Sequence, residues 1–318
     1  MKLQQLEYVL EIVRQGFHIS AAARALHTSQ PGVSRQLQLL EAELGFPLFA
    51  RTRNHIEGLT EAGTVVVDTA KRILADVDSI GSLKHDLLAS DRGTLTIATT
   101  HTQAKYVLPP VIGPFIAEYP DVQIVLKQGD PVGICQMVDE GLADLALGTE
   151  SLTTFPSLVR LQCFTLDRVV VAPVGHPLLD CGTLTLEEVA RYPIITYDNR
   201  FSGHWKVRAA FESAGLEPKV VLSAIDADIC KTYVAMGLGI GILTAVTFDA
   251  ERDRGLRVMP ADHLFDSSAV YINLRASTYL RAYLLDFIGR LAPSLTPDVI
   301  RDSFQGRHGI LRRDALSP

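Results

Sequence analysis

Thr28-Ser29-Gln30-Pro31-Gly32-Val33-Ser34-Arg35-Gln36 orders the rest of the chain around it. A hydroxyl residue there can cap a helix, and Pro31 suits the first turn, where its missing N–H costs nothing. From Val33 the apolar residues recur as Leu37, Leu40 and Leu44, one helical face, and Gly45 closes the helix as a C-terminal cap. Just upstream, Ile19-Ser20-Ala21-Ala22-Ala23-Arg24-Ala25-Leu26 carries alanines small enough for another helix to cross closely. Before that, Leu3, Leu6, Leu10 and Val13 mark a helix that stops near Gly16. Two short helices joined by a tight turn form a helix-turn-helix.

Reading DNA with such a unit requires a polar outer face at the start of the second helix. Gln30, Ser34, Arg35 and Gln38 supply amides suited to adenine, a hydroxyl, and a guanidinium suited to guanine. Phe46-Pro47-Leu48-Phe49-Ala50-Arg51-Thr52-Arg53, followed by Gly58-Leu59-Thr60, reads as a short hairpin or wing, with Arg51 and Arg53 within reach of phosphates. The expected DNA-binding set is therefore Ser29, Gln30, Pro31, Ser34, Arg35, Gln38, Arg51 and Arg53. Most Ala-rich helix pairs with a connecting turn are only packing units, so the unit alone does not decide the function.

Thr60 is a plausible N-cap for a helix running to about Leu88. Within it Val66, Ala70, Ile73, Val77, Ile80, Lys84 and Leu87 alternate at +4 and +3, a heptad seam with one polar interruption. At ~1.5 Å per residue such a helix spans about 40 Å. A stripe that narrow predicts a dimerising connector through Val66, Ala70, Ile73, Val77 and Ile80 rather than the face of a globular core.

Beyond Ser90-Asp91-Arg92-Gly93 the pattern changes. Thr94–Thr99, Val122–Gln128, Leu145–Leu147, Val169–Ala172 and Ile194–Tyr197 read as strands, and Tyr106–Glu118, Ile134–Glu140 and Leu186–Ala190 as helices between them. This predicts an α/β plan with parallel sheets and helices on both faces. Some 200 residues of it exceed one small sheet, so two lobes with a cleft are expected. Ligands in such folds sit beyond the strand C-termini, near helix N-termini. Thr99-Thr100-His101-Thr102-Gln103 answers that description, offering hydroxyls, an amide and backbone N–H groups to an anion without a formal positive charge. Asp226-Ala227-Asp228, ahead of Lys231-Thr232-Tyr233-Val234, is a second polar cluster. Two carboxylates alone make a poor metal site, and helix capping is the simpler role for them.

Catalytic constellations are not found: there is no G-x-S-x-G elbow, no H-E-x-x-H and no P-loop. Met236-Gly237-Leu238-Gly239-Ile240-Gly241-Ile242 spaces its glycines wrongly for a dinucleotide fingerprint and follows a helix, so it reads as close packing of a helix end into a strand. Cys135, Cys163, Cys181 and Cys230 form no CxxC pair and read as buried apolar residues in a reducing compartment. Gln and Glu interrupt the N-terminus where a signal peptide needs an apolar run. The longest uncharged run, 232–248, is seventeen residues with three glycines, short of a membrane span. A cytoplasmic protein without cofactor, metal or membrane contact is expected. A small-anion-binding protein or an enzyme on the same two-lobed scaffold is the alternative.

The ordered set Leu3-Gln4-Gln5-Leu6, 28–36, Leu40-Glu41-Ala42-Glu43-Leu44-Gly45, Phe49-Ala50-Arg51 and Leu59-Thr60-Glu61-Ala62-Gly63 resembles the LysR-type transcriptional regulators, over nearly the whole chain. Ile97-Ala98-Thr99-Thr100-His101-Thr102-Gln103-Ala104 and Asp226–Val234 with Gly237-Leu238-Gly239-Ile240-Gly241 look like the cysteine-regulon activator (CysB/Cbl) group within that family. The resemblance implies a winged helix-turn-helix head (1–59), a long dimerisation helix (60–90) and an effector domain (91–318) like a periplasmic binding protein. Lobe I would take about 91–163 and 266–292, lobe II about 164–265, and 293–318 would extend the C-terminus. It further implies control of sulfate, organosulfur and cysteine-biosynthesis genes, with sulfate, acetylserine or adenosine phosphosulfate as effector. Double-stranded promoter DNA and RNA polymerase are the implied partners, and a homotetramer built as a dimer of dimers the implied assembly. The effector site would comprise Thr100, His101, Thr102, Gln103, Thr149, Ser202 and Asp226. Three positions depart from the group: Ser202 replaces a threonine, Leu166 stands where CysB members carry tryptophan, and Asp198-Asn199-Arg200 is more charged.

The net charge of −6 is divided unevenly. Residues 1–60 hold six Lys/Arg against five Asp/Glu, 61–90 three against five, and 91–318 twenty-one against twenty-six. Only the head is not acidic, and its +1 suffices for DNA only when repeated across an oligomer.

Overall fold

The computed structural model describes residues 1–52, 55–87 and 92–314. The chain divides into two compact units, Met1–Ala89 and Ser90–Pro318.

The first unit runs α1 (Leu3–Arg14), α2 (Ile19–Ala25), α3 (Gln30–Leu44), β1 (Phe49–Thr52), β2 (His55–Leu59) and α4 (Glu61–Leu87). With seven residues, α2 is too short to persist alone. It is held because Ala22 and Ala23 let it close on Leu6, Val9 and Ile12 of α1 and on Val33, Leu37 and Leu40 of α3, all in one core. Ser29 caps α3 by accepting the Gly32 N–H at 3.3 Å, and Gly45 ends it in the left-handed region, φ 79°. β1 and β2 pair antiparallel, Phe49 opposite Leu59, as the wing. The wing's turn, including the sequence-predicted Arg53, lies outside the described residues.

Thr60 caps α4. Its hydroxyl accepts the Gly63 N–H at 2.8 Å and donates to the Pro47 carbonyl at 2.8 Å, while its own N–H donates to the Leu48 carbonyl at 3.0 Å. The contact is so close that a Cβ on Gly63 would lie 1.9 Å from the Leu48 carbonyl oxygen. The seam on α4 is split, contrary to the expectation of one dimer-facing stripe. Ala70 is buried in the head's own core, with Val66 and Ile73 packed against it, because α4 lies across α1 and the wing. Val77 and Ile80 are exposed, the latter 66%.

The second unit contains β3 (Gly93–Thr99), α5 (Pro109–Glu118), β4 (Val122–Gln128), α6 (Pro131–Asp139), β5 (Leu145–Thr149) and β6 (Leu158–Leu166). It continues through β7 (Arg168–Pro173), α7 (Leu186–Ala190), β8 (Ile194–Tyr197), α8 (Ser202–Ser213), β9 (Val220–Ala224), α9 (Ala227–Ala235), β10 (Ile240–Thr244) and β11 (Leu256–Pro260). β12 (Ser268–Arg275), α10 (Ala282–Leu291) and α11 (Pro297–Asp314) complete it. Two five-stranded sheets result, ordered β4-β3-β5-β12-β6 and β11-β7-β10-β8-β9, each the centre of a lobe.

The sheets are mixed, not parallel throughout as the β/α alternation suggested. β3, β4 and β5 pair parallel, as do β8, β9 and β10, but β12 runs antiparallel to β5 and β6, and β7 to β10 and β11. The reason is topological: β7 and β12 are the strands on which the chain arrives directly from the other lobe. No helical crossover precedes either strand, so nothing imposes the parallel direction. The first crossing falls at Asp167, since β6 stays in register with β12 through Leu166 opposite Ser268. The helix expected from Tyr106 instead starts at Pro109; a five-residue π-helical turn, Gln103–Val107, precedes it. Pro109 and Pro110 lack the N–H groups that would continue an earlier helix but fit a first turn. Gly237, φ 78°, ends α9, and Gly239 lets β10 approach Pro193 so closely that a Cβ would lie 2.4 Å from its carbonyl oxygen. At the far end, Ile300 and Phe304 of α11 are buried in the core of the first lobe.

Candidate functional site

In the head, Ser29, Gln30, Pro31, Arg35 and Gln38 are exposed and Ser34 is half-buried, while Val33, Leu37 and Leu40 on the opposite side of α3 are buried. That division leaves a polar N-terminal face able to enter a major groove. Arg51 is less free than its sequence position suggested. Its guanidinium binds the Glu41 carboxylate at 3.1 Å, and the other Glu41 oxygen accepts the N–H groups of Leu48 and Phe49 at 2.8 and 3.4 Å. Glu41 thereby ties the wing to α3.

In the second unit the loop after β3 meets the other lobe. Thr100, Thr102, Gln103 and Thr149 from the first lobe share a pocket with Arg168, Tyr197, Phe201, Ser202, Gly203 and Thr244 from the second, with Leu166 at the crossing. About 300 Å³ there is free of atoms, part of it open to solvent. Strand β3 delivers Thr100 at its C-terminal end, and the π-helical turn directs Gln103 inward. The Thr100 hydroxyl donates to the Gln103 side-chain oxygen, which turns the amide nitrogen away; that nitrogen is buried and has no hydrogen-bond partner among the described residues. On the facing wall Tyr197 and Thr244 share a hydroxyl hydrogen bond of 3.1 Å, and Ser202 and Ser268 one of 2.8 Å.

The sequence reading missed Arg168. It expected a pocket without formal positive charge, but this guanidinium is 2% exposed and lines the cavity. One terminal nitrogen donates to Ser268, and Nε has no partner among the described residues. Burial lowers its pKa, opposed by the nearby Tyr197 and Glu150. Glu150 is itself held by Lys206 across the lobes and accepts the Ala269 N–H at 3.3 Å.

His101 and Asp226 are brought together, but beside this pocket and not in its lining. His101 Nε2 lies 3.1 Å from Asp226 and 3.4 Å from Asp228. Asp226 caps α9 by accepting the Asp228 N–H at 2.7 Å, the role its position suggested. Asp228 accepts the Tyr106 hydroxyl at 2.6 Å and pairs with Lys105 at 2.5 Å. Buried Lys231 joins Asp253 at 2.8 Å, the Thr247 carbonyl at 2.7 Å and the Tyr106 oxygen at 3.2 Å. Partial burial would raise the Asp228 pKa, but the bonds from Lys105 and Tyr106 and the nearby lysine charges prevail and hold it well below the usual carboxylate range. Burial and the same carboxylates push the Tyr106 phenol far up, so it stays a donor. One nitrogen of His101 and one oxygen each of Asp226 and Asp228 lie within 4.8 Å of one another, yet every carboxylate there already has a protein partner.

The four cysteines are unpaired. Burial pushes the thiols of Cys135 to about 11 and of Cys163 and Cys230 to about 12, which leaves them poor nucleophiles. Among the described residues no helix is long and apolar enough to cross a membrane.

A winged helix-turn-helix, a long helix and a two-lobed α/β body with a polar inter-lobe pocket define a class of ligand-responsive DNA-binding regulators. Residues 3–64 match the model of bacterial regulatory helix-turn-helix proteins of the lysR family, and 89–295 the LysR substrate binding domain. The chain belongs to the LysR family of transcriptional regulators. Among curated relatives it is 44% identical over 306 residues to the HTH-type transcriptional regulator CysB of Burkholderia cenocepacia, covering 96% of this chain and 98% of that one. It is 45% identical over 295 residues to the regulator SsuR of the same organism, covering 93% and 96%. Among solved structures, the cofactor-binding domain of the Cbl transcriptional regulator superposes with a TM-score of 0.64 at 37% identity, covering 67% of this chain and 93% of that one.

Proposed function

We propose that this chain controls sulfur assimilation genes, those for sulfate and organosulfur use and cysteine biosynthesis, in response to a small sulfur-related anion bound between its lobes. The observation that carries the reading is that Gln103 of one lobe and Arg168 of the other both line this pocket and each holds a buried nitrogen without a partner among the described residues. Buried polar groups without a partner are costly, and a ligand oxyanion would satisfy both. Thr100, Thr102, Gln103, Thr149 and Ser202 contact the effector; His101 and Asp226 act one layer away, in the contact between the lobes. The resemblance to CysB, SsuR and Cbl supports the sulfur assignment.

The chain works in the cytoplasm as a regulator and not as an enzyme. Domains divide near residues 60 and 90, with Val77 and Ile80 of α4 joining two copies and two dimers forming a tetramer. The face carrying Ser29, Gln30, Pro31, Ser34, Arg35 and Gln38 enters the major groove of promoter DNA, and the wing follows the backbone. A ligand changes DNA binding only by favouring one arrangement of the lobes over another.

Arg35→Ala tests the head's assignment. A gel-shift titration on the chain's own promoter should show affinity falling at least about 30-fold, the loss of a bidentate base contact plus a charge. Calorimetry with sulfate should show effector binding unchanged. Promoter affinity equal to the parent's would mean that α3 does not read the DNA.

A further inference from the structure

We propose that Arg168 sets the charge specificity of the inter-lobe pocket: its guanidinium binds the anionic group of the effector and makes a formal negative charge a condition for binding. This deepens the reading of the pocket as the effector site and rests on it.

Arg168 is the first residue of β7, one position after the chain crosses from one lobe to the other at Asp167. Its hydrogen-bond partner Ser268 is the first residue of β12, where the chain has just crossed back. The guanidinium therefore sits between the two crossing strands. The nearby acid, Glu150, pairs with Lys206 through one oxygen, while its other oxygen is buried without a hydrogen-bond partner among the described residues, and Tyr197 is bonded to Thr244. Among the described residues nothing else pairs with the guanidinium, whose Nε is buried and unsatisfied. A lone buried cation is expensive unless paired, and replacing it with an apolar side chain of similar volume is often neutral or stabilising. Unliganded, the fold gains little from this charge. A bound anion gains much, because a charge-assisted bond inside a low-dielectric pocket is stronger than the same bond in water.

Gly203 belongs to the arrangement. A Cβ there would lie 2.7 Å from a Tyr197 ring carbon and 3.2 and 3.4 Å from the two terminal nitrogens of Arg168. A side chain at this position would displace the guanidinium or the ring, so the missing Cβ lets the first turn of α8 close over both. The first lobe contributes Gln103 to the pocket lining, and its amide nitrogen is also buried and without a partner among the described residues. An oxyanion between them, either a sulfate or a carboxylate, takes bonds from both lobes at once.

The test uses the full-length chain with three probes: inorganic sulfate, N-acetylserine, which carries one carboxylate, and its neutral amide. Binding is followed by calorimetry in the parent, Arg168→Met, Arg168→Lys and the double variant Thr100→Val with Thr102→Val. The parent should prefer N-acetylserine to the amide by about 30-fold or more. Arg168→Met should abolish that preference by weakening both anions while leaving the amide unchanged, and Arg168→Lys should restore part of it. The unliganded melting temperature of Arg168→Met should equal or exceed the parent's. The proposal is overturned if folded Arg168→Met binds sulfate within threefold of the parent, or if it loses acid and amide by the same factor. The double threonine variant separates the two readings. If it loses the anions while Arg168→Met keeps them, only the role of Arg168 fails; if it also binds them like the parent, the pocket is not the effector site.

Discussion

Two polar clusters bridge the lobes, and they differ in how completely they are satisfied. Around Asp228, three side chains of the first lobe meet three acids and a lysine of the second, and each carboxylate has a donor. The cluster around Arg168 is not saturated: among the described residues the Gln103 amide nitrogen, Arg168 Nε and one carboxylate oxygen of nearby Glu150 are buried and without a partner. A saturated cluster contributes to holding the lobes together whether or not ligand is present. An unsaturated one contributes fully only when something else supplies the missing partners. Composition alone would rank the Asp228 cluster as the more reactive site, being richer in titratable groups. Hydrogen-bond accounting reverses that order.

The difference can be broken or sharpened by substitution. The largest effect should come from Lys231→Met in the saturated cluster. It strips the cation from Asp253 and a donor from the Thr247 carbonyl, and should cost about 3 kcal/mol of stability by denaturant unfolding, with sulfate affinity nearly unchanged among folded molecules. Replacing Thr100 and Thr102 together by valine should do the reverse. It should weaken sulfate binding by about 2 kcal/mol in calorimetry, the loss of the Thr102 bond to a charge and of the Thr100 hydroxyl that orients the Gln103 amide, and leave the melting temperature within a few degrees. Equal losses of stability from both variants would show that the clusters do not divide the work.

Asp228→Asn should be the mildest, under about 1 kcal/mol at neutral pH, because the side chain is still 30% exposed. Its effect has a pH signature. The folded-state pKa of Asp228 is depressed, so its contribution is present above the unfolded value of about 3.9 and is lost as pH falls through the folded value. The stability difference between parent and variant should therefore hold steady from pH 7 to about 5 and shrink below 4. A difference that persists undiminished to pH 2 would mean that the carboxylate charge is not what links the lobes.

Where local chemistry determines structure, the sequence was legible. Ser29 and Gly45 bound α3 because a cap and a left-handed turn need those residue types, and Thr60 and the wing follow from equally short-range signals. The loop carrying Thr100, Thr102 and Gln103 was legible because a strand end followed by a helical turn is a local pattern. What escaped depended on partners distant in sequence. Arg168 looks like a surface charge ahead of the apolar run Val169–Ala172; Gly203 and Ser268, far along the chain, bury it. A charged residue directly abutting an unbroken buried strand was the available hint. The antiparallel strands β7 and β12 escaped for the same reason, since strand direction is set by the lobe the chain has just left. On α4 the heptad spacing was real, but spacing cannot say whether Ala70 faces a second copy or the chain's own head.

The junction at Gly63 has a mechanical consequence. With Leu48 wedged against the backbone of α4 and Thr60 bonded to both Pro47 and Leu48, the joint between wing and helix has almost no play. A 27-residue helix is about 40 Å long, so a tilt of only about 5° displaces its far end by roughly 3.5 Å. Read in the opposite direction, the helix is a lever with a stiff pivot. A displacement of a few ångströms applied at its distal end corresponds to a turn of only about 5° at the joint.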